Sequence, residues 1–212
     1  MKSTSPKKNI DSNDKHEIRP GQSLELLKEL HILTRDGKMN QDSRRKLKQV
    51  YHLYQFIEPL MQQVLEQKGQ VSLVDHGAGK SYLGFILYDL FFKALGKDNA
   101  SCIYGIETRD ELVAKSTELA QRLGFGGMQF LNLSVAESTK STALPDQIDI
   151  VTALHACNTA TDDAIDFALK KKAKFIKDSK YLEGNLIIVG GVLFLNTSVI
   201  VNISVSKFFS KI

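Results

Sequence analysis

The sequence predicts an α/β fold of the Rossmann-like kind, a mainly parallel sheet flanked by helices, with a helical N-terminal extension before it. Three observations predict it. From residue 71 onward, short apolar runs rich in β-branched residues alternate with helix-period stretches. Glycines end the helix-period stretches, Gly69 the one before this region and Gly96 and Gly124 two within it. The first strand-to-helix junction, Val74-Asp75-His76-Gly77-Ala78-Gly79-Lys80-Ser81, is the tight glycine-bearing turn of a ligand-binding sheet. Parallel strands joined by right-handed crossovers bind ligands beyond their carboxyl ends.

The elements follow in order. Residues 1–20 read as a flexible tail, because Ser3, Pro6, Asn9, Asp11 and Asn13 leave little to bury, and no secretion signal is expected there. Residues 21–69 form the helical extension. Leu24, Leu27, Leu30 and Leu33 predict a short amphipathic helix over Gln22–Leu33. A longer helix begins near Asp42, carries Leu47, Val50, Tyr51, Tyr54, Ile57, Met61, Val64 and Leu65 at helical spacing, kinks or splits at Pro59, and ends at Gly69.

Residues 70–181 are the α/β unit. Its strands are expected at Val71–Asp75, Ser101–Glu107, Met128–Leu133 and Ile148–Leu154, with a fifth starting at Ala173–Ile176. Its helices are expected at Ser81–Leu95, Arg109–Leu123 and Thr161–Lys172. Residues 182–212 are a divergent, β-prone segment. Leu186–Val205 has nearly the length of a membrane span. Gly190, Gly191, Asn196, Asn202 and its many β-branched residues favour strands instead, so a membrane partner is not expected.

With 42% hydrophobic and 25% charged residues among 212, the chain has the composition of a folded domain rather than a disordered one. A net charge of +4 permits an acidic partner such as RNA without demanding one. Two cysteines, Cys102 and Cys157, make neither a disulfide framework nor a zinc pattern, so a reducing, cytoplasmic setting and no metal are expected.

The glycine turn admits three ligand classes. A P-loop ends in Gly-Lys-Ser, as Gly79-Lys80-Ser81 does, but its first glycine falls on Val74. A nicotinamide fingerprint requires glycine where Tyr82 stands. The Asp-x-Gly-x-Gly loop of methyltransferases fits, with Asp75 closing the strand. A turn with no ligand remains open on these residues alone. The second strand, Ile103-Tyr104-Gly105-Ile106-Glu107, then ends in a carboxylate where a ribose diol needs an acceptor. Together the two features favour a nucleoside ligand.

Val74–Leu83 resembles the first motif of a family of bacterial class I S-adenosylmethionine-dependent methyltransferases, Asp-x-Gly-x-Gly-Lys-Gly/Ser-Tyr-Leu. Leu154-His155-Ala156-Cys157-Asn158-Thr159-Ala160-Thr161-Asp162 closely resembles that family's Leu-His-Ala-Cys-Asp-Thr-Ala-Thr-Asp segment, and Arg44–Val50 looks like the helix before its cofactor domain. The resemblance covers roughly residues 30 to 176. It implies S-adenosyl-L-methionine as cofactor. Asp75, Gly77 and Gly79 would hold its methionine part, Glu107 the ribose, and Leu154 with His155 would line the floor near the methyl. Ser134–Glu137 is where adenine contacts are expected, with Glu137 the candidate. Two departures stand out: Asn158 replaces the family's aspartate, and no Pro-Cys-Cys segment follows the fifth strand.

Methyl transfer is a displacement that depends on positioning, and a base is needed only where the acceptor must lose a proton. His155 is the candidate base, and Asn158, near the expected acceptor, is the second catalytic candidate; a histidine satisfied by backbone is the competing reading. Cys157 lacks an activating neighbour other than His155. Thr159 or Thr161 with Asp162 and Asp163 reads as a helix cap. Arg44, Arg45, Lys46 and Lys48 suit either a phosphate backbone or a solvated face. The expected function is methyl transfer to an unidentified acceptor, RNA slightly ahead of protein or a small molecule. A cofactor-binding or inactive remnant, and more distantly a P-loop protein, are the rivals.

Overall fold

The structure, a computed structural model, describes residues 18–96, 99–153, 158–178, 186–189 and 192–195. Seven strands form one sheet: β1 (Ser72–His76), β2 (Cys102–Glu107), β3 (Met128–Asn132), β4 (Ile150–Ala153), β5 (Phe175–Asp178), β6 (Leu186–Val189) and β7 (Val192–Leu195). Their order is β3-β2-β1-β4-β5-β6-β7. The first five run parallel; β6 pairs antiparallel with β5, and β7 antiparallel with β6. The chain reverses direction across the sheet between β1 and β4, so the ligand crevice of such a sheet opens beyond the carboxyl ends of those two strands. This is the expected Rossmann-like architecture, and the described part of 182–212 extends its edge. No helix among the described residues is long and apolar enough to cross a membrane.

Helices α1 (Leu24–Glu29), α2 (Gln41–Lys68), α3 (Tyr82–Leu90), α4 (Asp110–Leu123), α5 (Val135–Lys140) and α6 (Asn158–Lys170) pack around the sheet. One apolar cluster joins Leu26 and Leu27 of α1, Leu47, Tyr54 and Ile57 of α2, and Phe85 of α3 to Leu73, Ile103 and Phe175 of the sheet. The extension therefore shares its core with the sheet face it covers. The opposite face buries Val74, Ile106 and Val151 against Phe167. Leu73 and Val74 go to opposite faces, as strand alternation requires.

Asp149 meets the end of α2. Its carboxylate accepts from the Ser72 amide (2.9 Å), the Ser72 hydroxyl (2.8 Å) and the Lys68 ammonium at the helix end. That contact pins the last turn of α2 to the amino-terminal edge of the sheet. Near the other end of α2 the Lys46 ammonium sits 4.2 Å from the Tyr82 ring centroid, at the start of α3 and so at the carboxyl edge.

Several elements differ from the sequence expectation. Helix α2 runs unbroken through Pro59. The proline is on the exposed side, so the Gln55 carbonyl it deprives of a donor faces outward, and the buried stripe holds the helix together. The predicted helix over Ser81–Leu95 breaks at Phe91, with a 3-10 turn over Phe92–Leu95. The break lets the adjacent Phe91 and Phe92 both enter the core. Helix α6 starts at Asn158, so Thr159 and Thr161 lie within its first turns rather than at its cap; Ala160 and Ala164 favour that continuation.

Gly105, in the middle of β2, lies between Asp75 and Phe130 in register. A β-carbon there would sit 2.6 and 2.8 Å from Phe130 ring atoms. Overpacking of this kind costs about 1–3 kcal/mol. Gly105→Ala is therefore expected to lower the melting temperature by roughly 3–10 °C in scanning calorimetry. An unchanged melt would mean the Phe130 ring moves at no cost.

Candidate cofactor site

Beyond β1 the chain turns through Gly77 (φ 63°), Gly79 (φ 58°) and Ser81 (φ 50°), a left-handed series that admits glycine freely. A β-carbon on Gly77 would meet nothing within 4 Å, so the backbone there is bare. One on Gly79 would approach only the Arg109 guanidinium (3.7 Å) and the Gly77 carbonyl (3.9 Å). The loop's amides point inward. Ala78 N–H donates to the Ile106 carbonyl (3.0 Å), Gly79 N–H to Glu107 Oε2 (2.8 Å), and Ser81 N–H to the Ala78 carbonyl (2.6 Å). A P-loop offers such amides to phosphate; here a protein carboxylate takes the central one. That argues against the P-loop reading.

Asp75 and Glu107 lie on one face of the sheet. Asp75 is level with Gly105, and Glu107 follows two residues later, so both side chains point the same way. Thr152, level with Asp75 on the other side, donates its hydroxyl to Asp75 Oδ1 at 2.6 Å. Burial raises the Asp75 carboxyl to about 6, against the smaller lowering effect of the Thr152 hydrogen bond. Glu107 goes the other way. Hydrogen bonds from the Arg109 side chain, then from the Arg109 and Gly79 amides, outweigh burial and hold it at about 2. Two same-face carboxylates thus stand in different states: one poised near neutrality, one firmly ionised.

His76 points to the opposite face. It is 1% exposed, its ring meets Phe167 edge-on at 4.4 Å, and neither ring nitrogen has a partner among the described residues. Burial lowers its pKa to about 4. The Ser81 hydroxyl is likewise buried without a partner among those residues. The Cys102 thiol is buried and pushed up to about 11, so it is an inert apolar group.

Of the residues expected from sequence, the structure brings Asp75, Gly77, Gly79 and Glu107 together. Leu154, His155 and Cys157 lie outside the described residues, and Asn158 opens α6. Glu137 serves the helix it belongs to. Its carboxylate accepts from the Ser134 amide (2.8 Å) and hydroxyl (2.7 Å), and Ser134 Oγ accepts from the Glu137 amide, a capping box that starts α5. Both contacts of that carboxylate are to its own helix cap, so adenine recognition by Glu137 is not supported by this geometry. Sequence reading missed Thr152 and Arg109. Thr152 depends on strand register; Arg109, two residues after Glu107, reads only as the start of a helix. Two further clefts, of about 310 and 1020 Å³, lie at the amino-terminal edge and contain none of these residues. Among the described residues no three histidine, cysteine or acidic side chains group as metal ligands.

Comparison with known proteins adds the family. No curated protein matches the chain. Among solved structures, it is similar to the [4+2]-cyclase SpnF at 21% identity and TM-score 0.39, over 57% of this chain and 43% of that one. It is similar to the bifunctional kinase-methyltransferase WbdD at 14% identity and TM-score 0.46, over 60% of this chain and 28% of that one. It is also similar to magnesium protoporphyrin IX methyltransferase (ChlM) from Synechocystis PCC 6803 with bound SAH, at 16% identity and TM-score 0.45, over 73% and 66%. The chain spans less than half the length of SpnF and WbdD. The model of a methyltransferase domain matches residues 45–178, more than half of the chain and the whole of the site from α2 to β5, and the chain belongs to that methyltransferase-domain family.

Proposed function

We propose that this chain binds S-adenosylmethionine across the tips of β1 and β2 and transfers its methyl group to an acceptor, RNA being slightly favoured over protein or a small molecule. One observation carries the reading: bare backbone at Gly77, flanked by the same-face carboxylates Asp75 and Glu107 on adjacent strands. Membership of the methyltransferase-domain family supports it. A sulfonium methyl, when bound, supplies the electrophile with a neutral thioether as its leaving group. The chain's own part is placement. Glu107, ionised, accepts from the ribose hydroxyls. Asp75, with the bare backbone of Gly77, holds the amino-acid end. We assign Leu154 to the floor of the methyl site and His155, supported by Asn158, to proton removal where the acceptor needs it. Alignment of this kind supplies of order 7–11 kcal/mol at best.

RNA is favoured by the net charge of +4 and by Arg44, Arg45, Lys46 and Lys48, in the turn of α2 that lies at the carboxyl edge. The test is transfer of labelled methyl from S-adenosylmethionine to separated RNA, protein and small-molecule fractions of a cell extract. Label in RNA is expected. Label in another fraction overturns the acceptor, and cofactor binding with no labelled fraction leaves the inactive-remnant reading. Glu107→Gln is expected to weaken cofactor binding by about 10- to 100-fold in calorimetry, the range for a hydrogen bond to a charged group.

A further inference from the structure

We infer that Arg109 is a latch on the ribose acceptor: its guanidinium occupies Glu107 in the empty protein and must swing away before a nucleoside can bind. The inference rests on the reading that S-adenosylmethionine binds here. Glu107 is saturated. Its Oε1 accepts from the Arg109 amide (3.1 Å), Arg109 Nε (3.0 Å) and, at longer range, the Thr108 hydroxyl (3.4 Å). Its Oε2 accepts from the Gly79 amide (2.8 Å) and Arg109 Nη2 (3.1 Å). A carboxylate has about four lone-pair sites, and all are taken. A diol that donates two hydrogen bonds to Glu107 therefore has to displace two donors.

The donors differ in how easily they leave. The Gly79 and Arg109 amides belong to the loop and to the residue preceding α4, and moving them means moving backbone. The Arg109 side chain is 62% exposed, whereas the Glu107 side chain is 7% exposed. The guanidinium lies over Gly79 and is the closest group to the space above that glycine. It can rotate into water with its charge hydrated, and its two donors on Glu107 leave together without any movement of backbone. The side-chain donors of Arg109 are thus the ones that yield. Arg109 then lowers cofactor affinity by the fraction of time the latch is shut, since a site open part of the time binds in proportion to that fraction.

This assigns Arg109 a positioning role opposite to that of a ligand-binding arginine. Calorimetric titration with S-adenosylhomocysteine of the wild type, Arg109→Ala, Glu107→Gln and the double variant separates the two. Arg109→Ala is expected to bind about three- to tenfold more tightly than wild type, and Arg109→Gln, which keeps more of the stem, to move the same way. In the Glu107→Gln background the additional loss of Arg109 is expected to change nothing, because the ion pair is already gone. Equal or weaker binding by both Arg109 variants overturns the latch, as does the same gain in both backgrounds. A wild type that binds no S-adenosylhomocysteine overturns the proposed function, and the latch with it; wild-type binding with unimproved Arg109 variants overturns the latch alone.

Discussion

Replacing Gly79 by valine is expected to weaken cofactor binding at least a hundredfold while far-UV circular dichroism stays close to wild type. Gly79 sits at φ 58°, where a β-branched residue is strained by about 1–3 kcal/mol. A β-carbon there lies 3.7 Å from the Arg109 guanidinium, and the two γ-methyls beyond it fill the space above the loop. The strain also pulls on the Gly79 amide, which donates to Glu107 Oε2 at 2.8 Å and keeps the acceptor aimed. Loss of access and loss of aim together amount to about 3 kcal/mol or more, which is a hundredfold. The secondary structure is expected to survive because the loop is held independently, by Ala78 N–H on Ile106 and Ser81 N–H on Ala78. Unaltered affinity in this variant would mean the loop is not the site.

The second large effect is in stability against pH, and it comes from two neighbours that titrate in opposite senses. Asp75 has its folded pKa raised from 3.8 to about 6 by burial. The folded state therefore prefers it protonated, and stability is lost as pH rises from 3.8 through 6. His76 has its folded pKa lowered from 6.5 to about 4, again by burial. The folded state prefers it neutral, and stability is lost as pH falls from 6.5 through 4. At 1.36 kcal/mol per unit each contributes roughly 3 kcal/mol across nearly the same window. In the wild type the two slopes oppose each other, and their joint contribution between pH 4 and 6.5 is nearly flat. Removing one exposes the other. The melting temperature of Asp75→Asn is expected to fall by roughly 10 °C between pH 6.5 and 4, and that of His76→Leu to fall by a similar amount between pH 4 and 6. Parallel pH profiles in the two variants would contradict the assignment of burial as the common cause.

If the loop takes the proposed cofactor, Asp75 is a group it retains at the expense of stability. An ionised Asp75 at neutral pH is disfavoured by burial, and a ligand's ammonium group would relieve it. A carboxylate stands where a polar, uncharged residue would fold more easily, which fits a residue kept for a cation.

How legible the site is in sequence depends on the kind of contact. Asp75, Gly77, Gly79 and Glu107 can be read directly, because a strand end followed by glycines in a left-handed turn is a local pattern, and an acid at the next strand end is another. The parallel core follows from alternating periods. Thr152 on Asp75 is not readable, since it depends on the register of β1 against β4. Arg109 folding back on Glu107 is hidden by its position beside α4, where a basic residue has no reason to point at the preceding strand. Ser134 and Glu137 carry the sequence signature of a capping box, serine followed three residues later by glutamate, and their place after β3 masks it by suggesting a ligand loop. Pro59 misleads because local propensity says nothing of the buried stripe that spans it.

The proposed cofactor site consists of the bare backbone at Gly77 and the carboxylates Asp75 and Glu107, receiving an adenosyl sulfonium. Calorimetric titration of the wild-type protein with S-adenosylmethionine, run beside an identical titration with ATP, tests it most directly. Saturable one-to-one binding of S-adenosylmethionine is expected, with little or no heat from ATP. Binding of ATP in preference, or no binding of S-adenosylmethionine, would contradict it.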